Sequence, residues 1–239
     1  MNQYRADLHI HSVLSPCADL EMSPVNIVNS AKALGLDIIA VTDHNSTLHC
    51  PLTIELASRV GIFAVYGAEV TTREEVHCVC LVEDEPKRKL LQQFLEDNIQ
   101  RVPNNVDIFG YQVVVHEQEE IVQEIDYLLH GALNKGINEV EAFVHSIDGI
   151  FIPAHADRPK YSITSQLGFV PPDLNYDAIE LSRHTTEEKF LASNPFVRKK
   201  RFLRSSDAHM IDQIGTISTM LTMSNLTFKD LKESILALD

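Results

Sequence analysis

Six segments of the chain place histidine or carboxylate side chains in or at an end of a short apolar run. In the first segment, His9 and His11 are two residues apart, so both would point to the same face of a strand, about 7 Å from each other. Two imidazoles arranged in this way are suited to binding one metal ion. The other segments carry, in chain order, Asp43 with His44, Glu69, His77, His155, and Asp207 with His209. Nitrogen and oxygen donors together suit zinc, manganese or iron.

A single buried histidine is more often a hydrogen-bonded core residue than a metal ligand. Six apolar runs that end in such residues are harder to explain by packing alone, because an unpaired buried carboxylate carries a large desolvation penalty. We therefore predict that these side chains converge on one metal centre.

Short apolar runs alternate with amphipathic segments, which predicts a parallel sheet covered by helices. Strands are predicted over residues 6–10, 37–42, 62–66, 76–82, 111–116, 150–154, 177–181, 202–205 and 218–223. Helices are predicted from Ser23-Pro24 onward and over residues 52–59, 86–101, 117–133, 139–147 and 227–238. Seven or more such strands predict a closed or nearly closed barrel, in which functional groups lie where strands end.

Length and charge limit the kinds of partner. The 239 residues are predicted to form a single domain, 1–239, with a small insertion around residues 103–135. The net charge of −14 disfavours binding to long nucleic acid, although clustered cations would still attract a small phosphorylated substrate. The chain opens without a signal-like stretch, and no apolar run reaches about 18 residues. We therefore expect a cytoplasmic protein with no membrane partner.

The ordered motifs resemble the PHP (polymerase and histidinol phosphatase) family of metal-dependent phosphoesterases. They span residues 7–209 and are Asp7-Leu8-His9-Ile10-His11-Ser12, Val41-Thr42-Asp43-His44-Asn45, Gly67-Ala68-Glu69, His77, Ala154-His155 and Ser206-Asp207-Ala208-His209. The resemblance implies an α/β fold of the distorted, TIM-like (β/α)7 barrel type. It also implies a centre of two or three divalent ions.

The resemblance further implies which residue binds which ion. The first ion takes His9, His11, Glu69 and Asp207, the second takes Glu69, His77 and His155, and the third takes His44 and His209. The family usually adds a ligand to the third ion from the loop after the first strand, where this chain has Cys17. A thiolate would favour zinc or iron over manganese. The alternatives are Asp19 as the ligand, or a structural Cys17 beside a centre of two ions.

The predicted chemistry is hydrolysis of a phosphate ester, because clustered divalent ions bind phosphoryl oxygens and make a hydroxide available near neutral pH. Asp43 either orients a ligating histidine or accepts a proton near the nucleophile, and His209 is a second candidate for proton transfer. Arg158 is a candidate phosphate ligand, with a local ion pair as the alternative. Arg183 and His184 are candidates to contact the leaving group.

Three functions compete at this point. The leading hypothesis is hydrolysis of a small phosphomonoester, such as a nucleotide, a sugar phosphate or histidinol phosphate. The second is a 5′–3′ exonuclease or oligonucleotide phosphatase acting on short ends, which Arg158, Arg183 and the basic run Lys199-Lys200-Arg201 would support. The third is a non-catalytic metal-binding regulatory module. Missing ligands would mark such a module, and none is missing apart from the substitution at Cys17.

Overall fold

The strands build one large open sheet and two small ones in the computed structural model, which describes residues 1–197 and 201–238. In chain order the strands are β1 (Asn2–Ile10), β2 (Ile38–Val41), β3 (Phe63–Thr71), β4 (His77–Val82), β5 (Val113–Val115), β6 (Ile121–Glu124), β7 (Ile150–Pro153), β8 (Ile179–Glu180), β9 (Phe202–Leu203) and β10 (Thr219–Met223). The large sheet has the order β10-β1-β2-β3-β4-β7. Its strands β1, β2 and β3 are parallel, whereas β4 and β10 run antiparallel to their neighbours.

The expected closed (β/α)7 barrel is not confirmed, because the large sheet is an open half-barrel. β8 and β9 form a separate parallel pair over only two residues each. Residues that flank this pair connect it to the large sheet by hydrogen bonds, for example from Asp177 N to Phe151 O and from His11 N to Ala208 O, both at 2.9 Å. The alternation of strand and helix predicted the mixed α/β class correctly. It contained no signal for the antiparallel β4 and β10, or for so short a pairing of β8 with β9.

Helices cover the sheet at positions that the sequence signals largely predicted. They are α1 (Pro24–Ala33), α2 (Cys50–Arg59), α3 (Glu85–Asn98), α4 (Val106–Phe109), α5 (Ile137–Ser146), α6 (Ile163–Leu167), α7 (Glu187–Ser193) and α8 (Phe228–Leu236). The α1 start is as expected, with the Ser23 side chain accepting a hydrogen bond from Asn26 N and Pro24 at the first helical position. Among the described residues, no helix has the length and apolar character needed to cross a membrane.

Apolar side chains pack on both faces of the sheet. On one face, Leu91 and Leu95 of α3 and Val144 of α5 pack against Phe151 of β7. On another side, α1 and α2 cover β1 and β2 through residues such as Ile27. The concave interior is filled by Ala6, Leu8, Ala40, Val65 and Ile152, and α8 packs against it with Phe228, Leu231 and Ile235. These cores fix the strand ends that carry the polar residues.

The predicted helix over residues 117–133 is wrong. Its first part is β6, which pairs antiparallel with β5, and residues 125–134 follow an irregular path. The buried side chain of Gln112 explains this path, because it donates to the carbonyl oxygens of Ile125 and Tyr127 and accepts from Leu129 N. Backbone groups bonded to Gln112 are not available for the i to i+4 bonds of a helix.

Gly67 in β3 is predicted to tolerate no side chain. A Cβ atom built there would lie 2.7 Å from Leu81 Cδ2 and 3.0 Å from Cys80 O. We expect Gly67→Ala to lower the free energy of unfolding by about 1–3 kcal/mol through overpacking, measured by urea denaturation. Gly136→Ala is the matched control, because its Cβ would meet only the ends of the Arg73 and Glu74 side chains. Equal midpoints for the two variants would contradict the packing described for β3.

Candidate metal centre

The chemically active side chains converge at one edge of the large sheet. His9 and His11 lie at the end of β1, with their Nε2 atoms 3.2 Å apart, and both residues are fully buried. His77 begins β4, but it lies at the same edge because antiparallel pairing places it opposite Thr71 at the end of β3. His155 comes shortly after the end of β7, at the same edge of the sheet. The prediction that strand ends would converge therefore holds for residues from distant parts of the chain.

Glu69 of β3 lies at the centre of the cluster. Its Oε1 is 3.0 Å from both His77 Nδ1 and His155 Nε2. The shortest distances from its carboxylate to the other rings are 3.2 Å to His9 Nε2, 3.4 Å to His11 Nε2 and 3.1 Å to His44 Nδ1. Although burial alone would raise it, positive charge on His77 and His9 holds the pKa of Glu69 well below its usual range. This carboxylate is therefore an anion surrounded by five imidazoles.

Asp207 provides a second anion on the other side of the paired histidines. Its Oδ1 lies 3.4 Å from His9 Nε2 and 3.3 Å from His11 Nε2, and Oδ2 pairs with Arg158. Burial opposes protonation of His11, but hydrogen bonds to Asp207 and Glu69 raise the pKa of this ring to about 9. A divalent cation that binds here would displace protons from the rings, so we expect binding to weaken as the pH falls.

Four overlapping donor sets fit divalent cations. In each set the ligand atoms lie within 4.8 Å of one another, and the sets are His9 with His11 and Glu69, Glu69 with His77 and His155, His11 with His44 and His209, and His44 with His77 and His130. Among the described residues, the buried atoms His77 Nε2, His155 Nδ1 and Asp207 Oδ1 have no hydrogen-bond partner. Buried polar atoms without partners are costly, and a divalent cation bound here would give them a partner.

The Cys17 side chain lies beside the third set, whereas Asp19 contacts that set through its backbone, with Asp19 N donating to His209 O at 2.8 Å. The Cys17 Sγ is 3.2 Å from His44 Nε2. Cys17 and Asp19 are both exposed, but the Asp19 Oδ1 accepts a hydrogen bond from Glu21 N at 2.9 Å. Desolvation, followed by the nearby charge of Glu69, raises the pKa of the Cys17 thiol to about 12. The thiol is therefore protonated at neutral pH until a cation displaces the proton.

Hydrogen bonds from neighbouring residues fix the orientation of the imidazole rings in the cluster. The Asp43 carboxylate accepts from Ser12 N and Ser15 Oγ, both at 2.7 Å, and Ser15 Oγ lies 3.0 Å from His11 Nδ1. Asp43 is not among the described residues that line the pocket over the cluster. This geometry supports the orienting role that the sequence left open for Asp43. His209 lines the pocket, and burial together with charge on His11 lowers its pKa to about 4.

Glu180 and His130 belong to the site although the sequence analysis passed over them. The Glu180 carboxylate receives His9 Nδ1 at 3.1 Å and His155 N at 3.0 Å, so it orients two ligand positions. A carboxylate at the end of the predicted strand 177–181 was a usable signal for it. His130 lines the pocket beside His44 and His77. It lies in the wrongly predicted helix, and no strand end marked it.

Two adjoining pockets open above the cluster. The first, of about 270 Å³, is lined by the ligand residues and by Lys160 and Tyr161. The second, of about 240 Å³, adds polar groups such as Ser206 and Gln213. The residues that line both pockets are His155, Arg158, Asp207 and His209. The site is therefore a polar cleft that extends to one side of the metal-binding residues.

The structure separates the three candidate substrate contacts. Arg158 lines both pockets, so its ion pair with Asp207 and a role in phosphate binding are compatible. Arg183 lines the second pocket. His184 is exposed and is not among the described residues that line either pocket. In the basic run, Lys199 and Lys200 lie outside the described residues, and Arg201 donates to Asp177 O at 3.2 Å.

Comparison with known proteins identifies a family. A family model for the PHP domain matches residues 7–154, which is more than half of the chain. An uncharacterized protein of Methanocaldococcus jannaschii is 36% identical over 92 aligned residues, and the match covers 35% of this chain and 54% of that protein. A 5′-3′ exoribonuclease of Haemophilus influenzae is 33% identical over 87 residues, covering 35% of this chain and 31% of that enzyme. The match thus covers 54% and 31% of the length of these two curated relatives.

Solved structures share the fold at low sequence identity. The lesion-specific endonuclease PfuEndoQ from Pyrococcus furiosus is 20% identical with a TM-score of 0.67, and the match covers 100% of this chain and 57% of that one. A protein from Bifidobacterium adolescentis that is assigned to the metal-dependent phosphoesterases is 18% identical, with a TM-score of 0.62 and coverage of 96% of this chain and 95% of that one. The comparisons agree with the resemblance found in the sequence motifs.

The position of the Cys17 thiol predicts a preference for one metal. We expect Cys17→Ser to weaken zinc binding about tenfold or more and to leave manganese binding nearly unchanged, because thiolate selects the softer ion. Competition with a metal chelator measures the zinc and manganese affinities of the wild type and of each variant. The matched control is Asp19→Asn, which should behave like the wild type. A loss of zinc affinity in Asp19→Asn alone would assign the ligand to Asp19 instead.

The contacts of Glu180 predict a loss of metal affinity without loss of a ligand. We expect Glu180→Gln to weaken metal binding about 10–100-fold, because His9 loses the anion that orients it. Calorimetric titration measures the affinity. Asp177→Asn is the control, since that buried carboxylate binds Phe151 N and His145 Nε2 elsewhere in the fold and should affect stability alone. Unchanged affinity in Glu180→Gln would remove Glu180 from the site.

Proposed function

The chain belongs to the PHP domain family, and from this premise we propose that it is a metal-dependent hydrolase of phosphate esters. The convergence of five imidazoles on the Glu69 carboxylate is the observation that carries the proposal. We assign two or three divalent ions to it, zinc, manganese or iron. The proposed ligands are His9, His11, Glu69 and Asp207 for the first ion, Glu69, His77 and His155 for the second, and His44, His209 and Cys17 for the third.

The protein's own side chains would perform the remaining steps. Divalent ions in this centre supply charge for the phosphoryl oxygens and lower the pKa of a coordinated water. Arg158 faces the same space and would bind a phosphate oxygen after releasing Asp207. His209 at the pocket wall is neutral and would take up or deliver a proton there when the third ion is absent, because a ring nitrogen bound to an ion cannot also accept a proton. Asp43 acts through Ser15 on His11, so we assign it a positioning role.

We propose the end of a short nucleic-acid strand as the substrate, attacked from the 5′ terminus. The second pocket leaves room for groups beyond the reacting phosphate and contributes Arg183, while Lys160 lines the first pocket. Phe109 and Tyr111 are exposed on either side of Gly110, and a Cβ built at Gly110 would lie 3.7 Å from Pro16 O. Exposed aromatic rings beside the loop that carries Cys17 are suited to stacking on bases.

Two of the named proteins support nucleic acid as the substrate class. One relative is an exoribonuclease, and PfuEndoQ, one of the structural neighbours, is a lesion-specific endonuclease. The net charge of −14 limits the proposal to short strands, because it repels long polyanions. The same charge favours a small phosphomonoester, which we keep as the second candidate. The complete set of donors disfavours a non-catalytic module. We also propose that residues 1–239 act as one catalytic domain in the cytoplasm, where the four cysteines, free in the structure, would stay reduced.

A product analysis separates the two candidates. We expect metal-loaded protein to release mononucleotides stepwise from a 5′-phosphorylated pentanucleotide, and at a rate about tenfold or more above release of inorganic phosphate from a mononucleotide, since only the longer substrate fills both pockets. His9→Ala should be inactive in both assays. Release of inorganic phosphate alone, from either substrate, would favour the phosphomonoesterase. No turnover of either by metal-loaded protein would contradict the proposed function as a whole.

A further inference from the structure

His130 stands against the metal-binding residues although it comes from the insertion between α3 and α5. Its ring centroid is 4.5 Å from that of His44 and 5.5 Å from that of His77, in edge-on arrangements with both. Tyr161 flanks it at 5.1 Å. The ring lies in the wall of the first pocket and is partly buried.

The three rings offer a donor set of their own. One ring nitrogen from each of His44, His77 and His130 lies within 4.8 Å of the other two. His77 Nε2 is buried and has no hydrogen-bond partner among the described residues, while its Nδ1 faces Glu69. Three imidazoles with an open remaining position are a donor set that zinc accepts at catalytic sites.

The residue after His44 holds His130 in place from both sides. Asn45 Nδ2 donates to Leu129 O at 2.7 Å and to Gly131 O at 2.8 Å. Its Oδ1 accepts from Thr71 N at 3.0 Å, and its backbone adopts a left-handed φ of 45°. A buried amide that bonds both neighbours of His130 makes the ring's position a built feature of the fold, because it removes the freedom of an otherwise irregular loop.

We propose that His130 is a metal ligand that joins His44 and His77 in holding a divalent cation, with zinc preferred, at the pocket side of the centre. Because the donor sets share rings, this set is an alternative to assigning His77 to the second ion and His44 to the third. Asn45 is its positioning residue. The insertion thereby contributes directly to the site, beyond the donors that the strand ends provide. The inference rests on the proposed metal centre, and it concerns binding of the cation whether or not the ester substrate proposed above is the right one.

Zinc and cobalt titrations of the full chain test the inference. We expect His130→Ala to weaken the weakest-bound zinc about tenfold or more, or to lose it, and to change the visible absorption spectrum of the cobalt-loaded protein. His116→Ala is the matched control, because this histidine lies in the same insertion, pairs with Glu120 and is 38% exposed. It should match the wild type in both titrations.

Asn45→Asp tests the positioning role separately. The carboxylate still accepts from Thr71 N but cannot donate to the two carbonyl oxygens, so the variant should reproduce the zinc defect of His130→Ala. Wild-type zinc affinity and cobalt spectrum in His130→Ala would overturn the inference and leave the proposed function standing. Failure of the wild type itself to bind zinc or cobalt would instead overturn the metal centre, and the inference with it.

Discussion

A buried anion determines the arrangement of this site. Glu69 is almost fully enclosed, and an ionised carboxylate in such surroundings is stable only if opposite charge and hydrogen-bond donors compensate for the lost water. Five imidazoles lie with a ring nitrogen 3.0–3.4 Å from its carboxylate. A second carboxylate, that of Asp207, lies 3.4 Å from His9 Nε2. Protons on the rings can balance this charge, and divalent cations can balance it better because they also satisfy the donors that lack partners. Divalent cations bound at this site would therefore compensate for the charge of the buried Glu69 carboxylate.

Hydrogen bonds and backbone conformations elsewhere in the fold keep the side chains around Glu69 in place. Behind the rings, Glu180 fixes His9, and Asp43 fixes His11 through Ser15. In front of them, His155 and Asp207 adopt left-handed backbone angles of 30° and 51°, which are unfavourable for residues of this kind and persist only where the surroundings impose them. The open half-barrel leaves the centre accessible from one side. The two pockets and the irregular segment of residues 125–134 lie on that side.

The sequence predicted which side chains converge better than it predicted the frame around them. His9, Glu69 and Asp207 could be found because they interrupt apolar runs, and the edge of a sheet brings such ends together wherever they stand in the chain. His130 could not be found in this way, because its position depends on the hydrogen bonds of Asn45 and Gln112 to the backbone of an irregular segment. The helix over residues 117–133 failed for the same reason. The open sheet was missed because a strand's direction is fixed by tertiary pairing, as with β4, and leaves no trace in hydropathy.

The central proposal is that Glu69 and the imidazoles around it would hold two or more divalent cations, and a metal count tests it most directly. Elemental analysis after loading and removal of free metal should find about two or more divalent ions per chain in the wild type. The count in Glu69→Gln should be lower by about one ion or more. The isosteric amide keeps the volume of the side chain but removes the charge around which the rings are gathered. Fewer than two ions in the wild type, or an unchanged count in Glu69→Gln with the fold intact, would contradict the account.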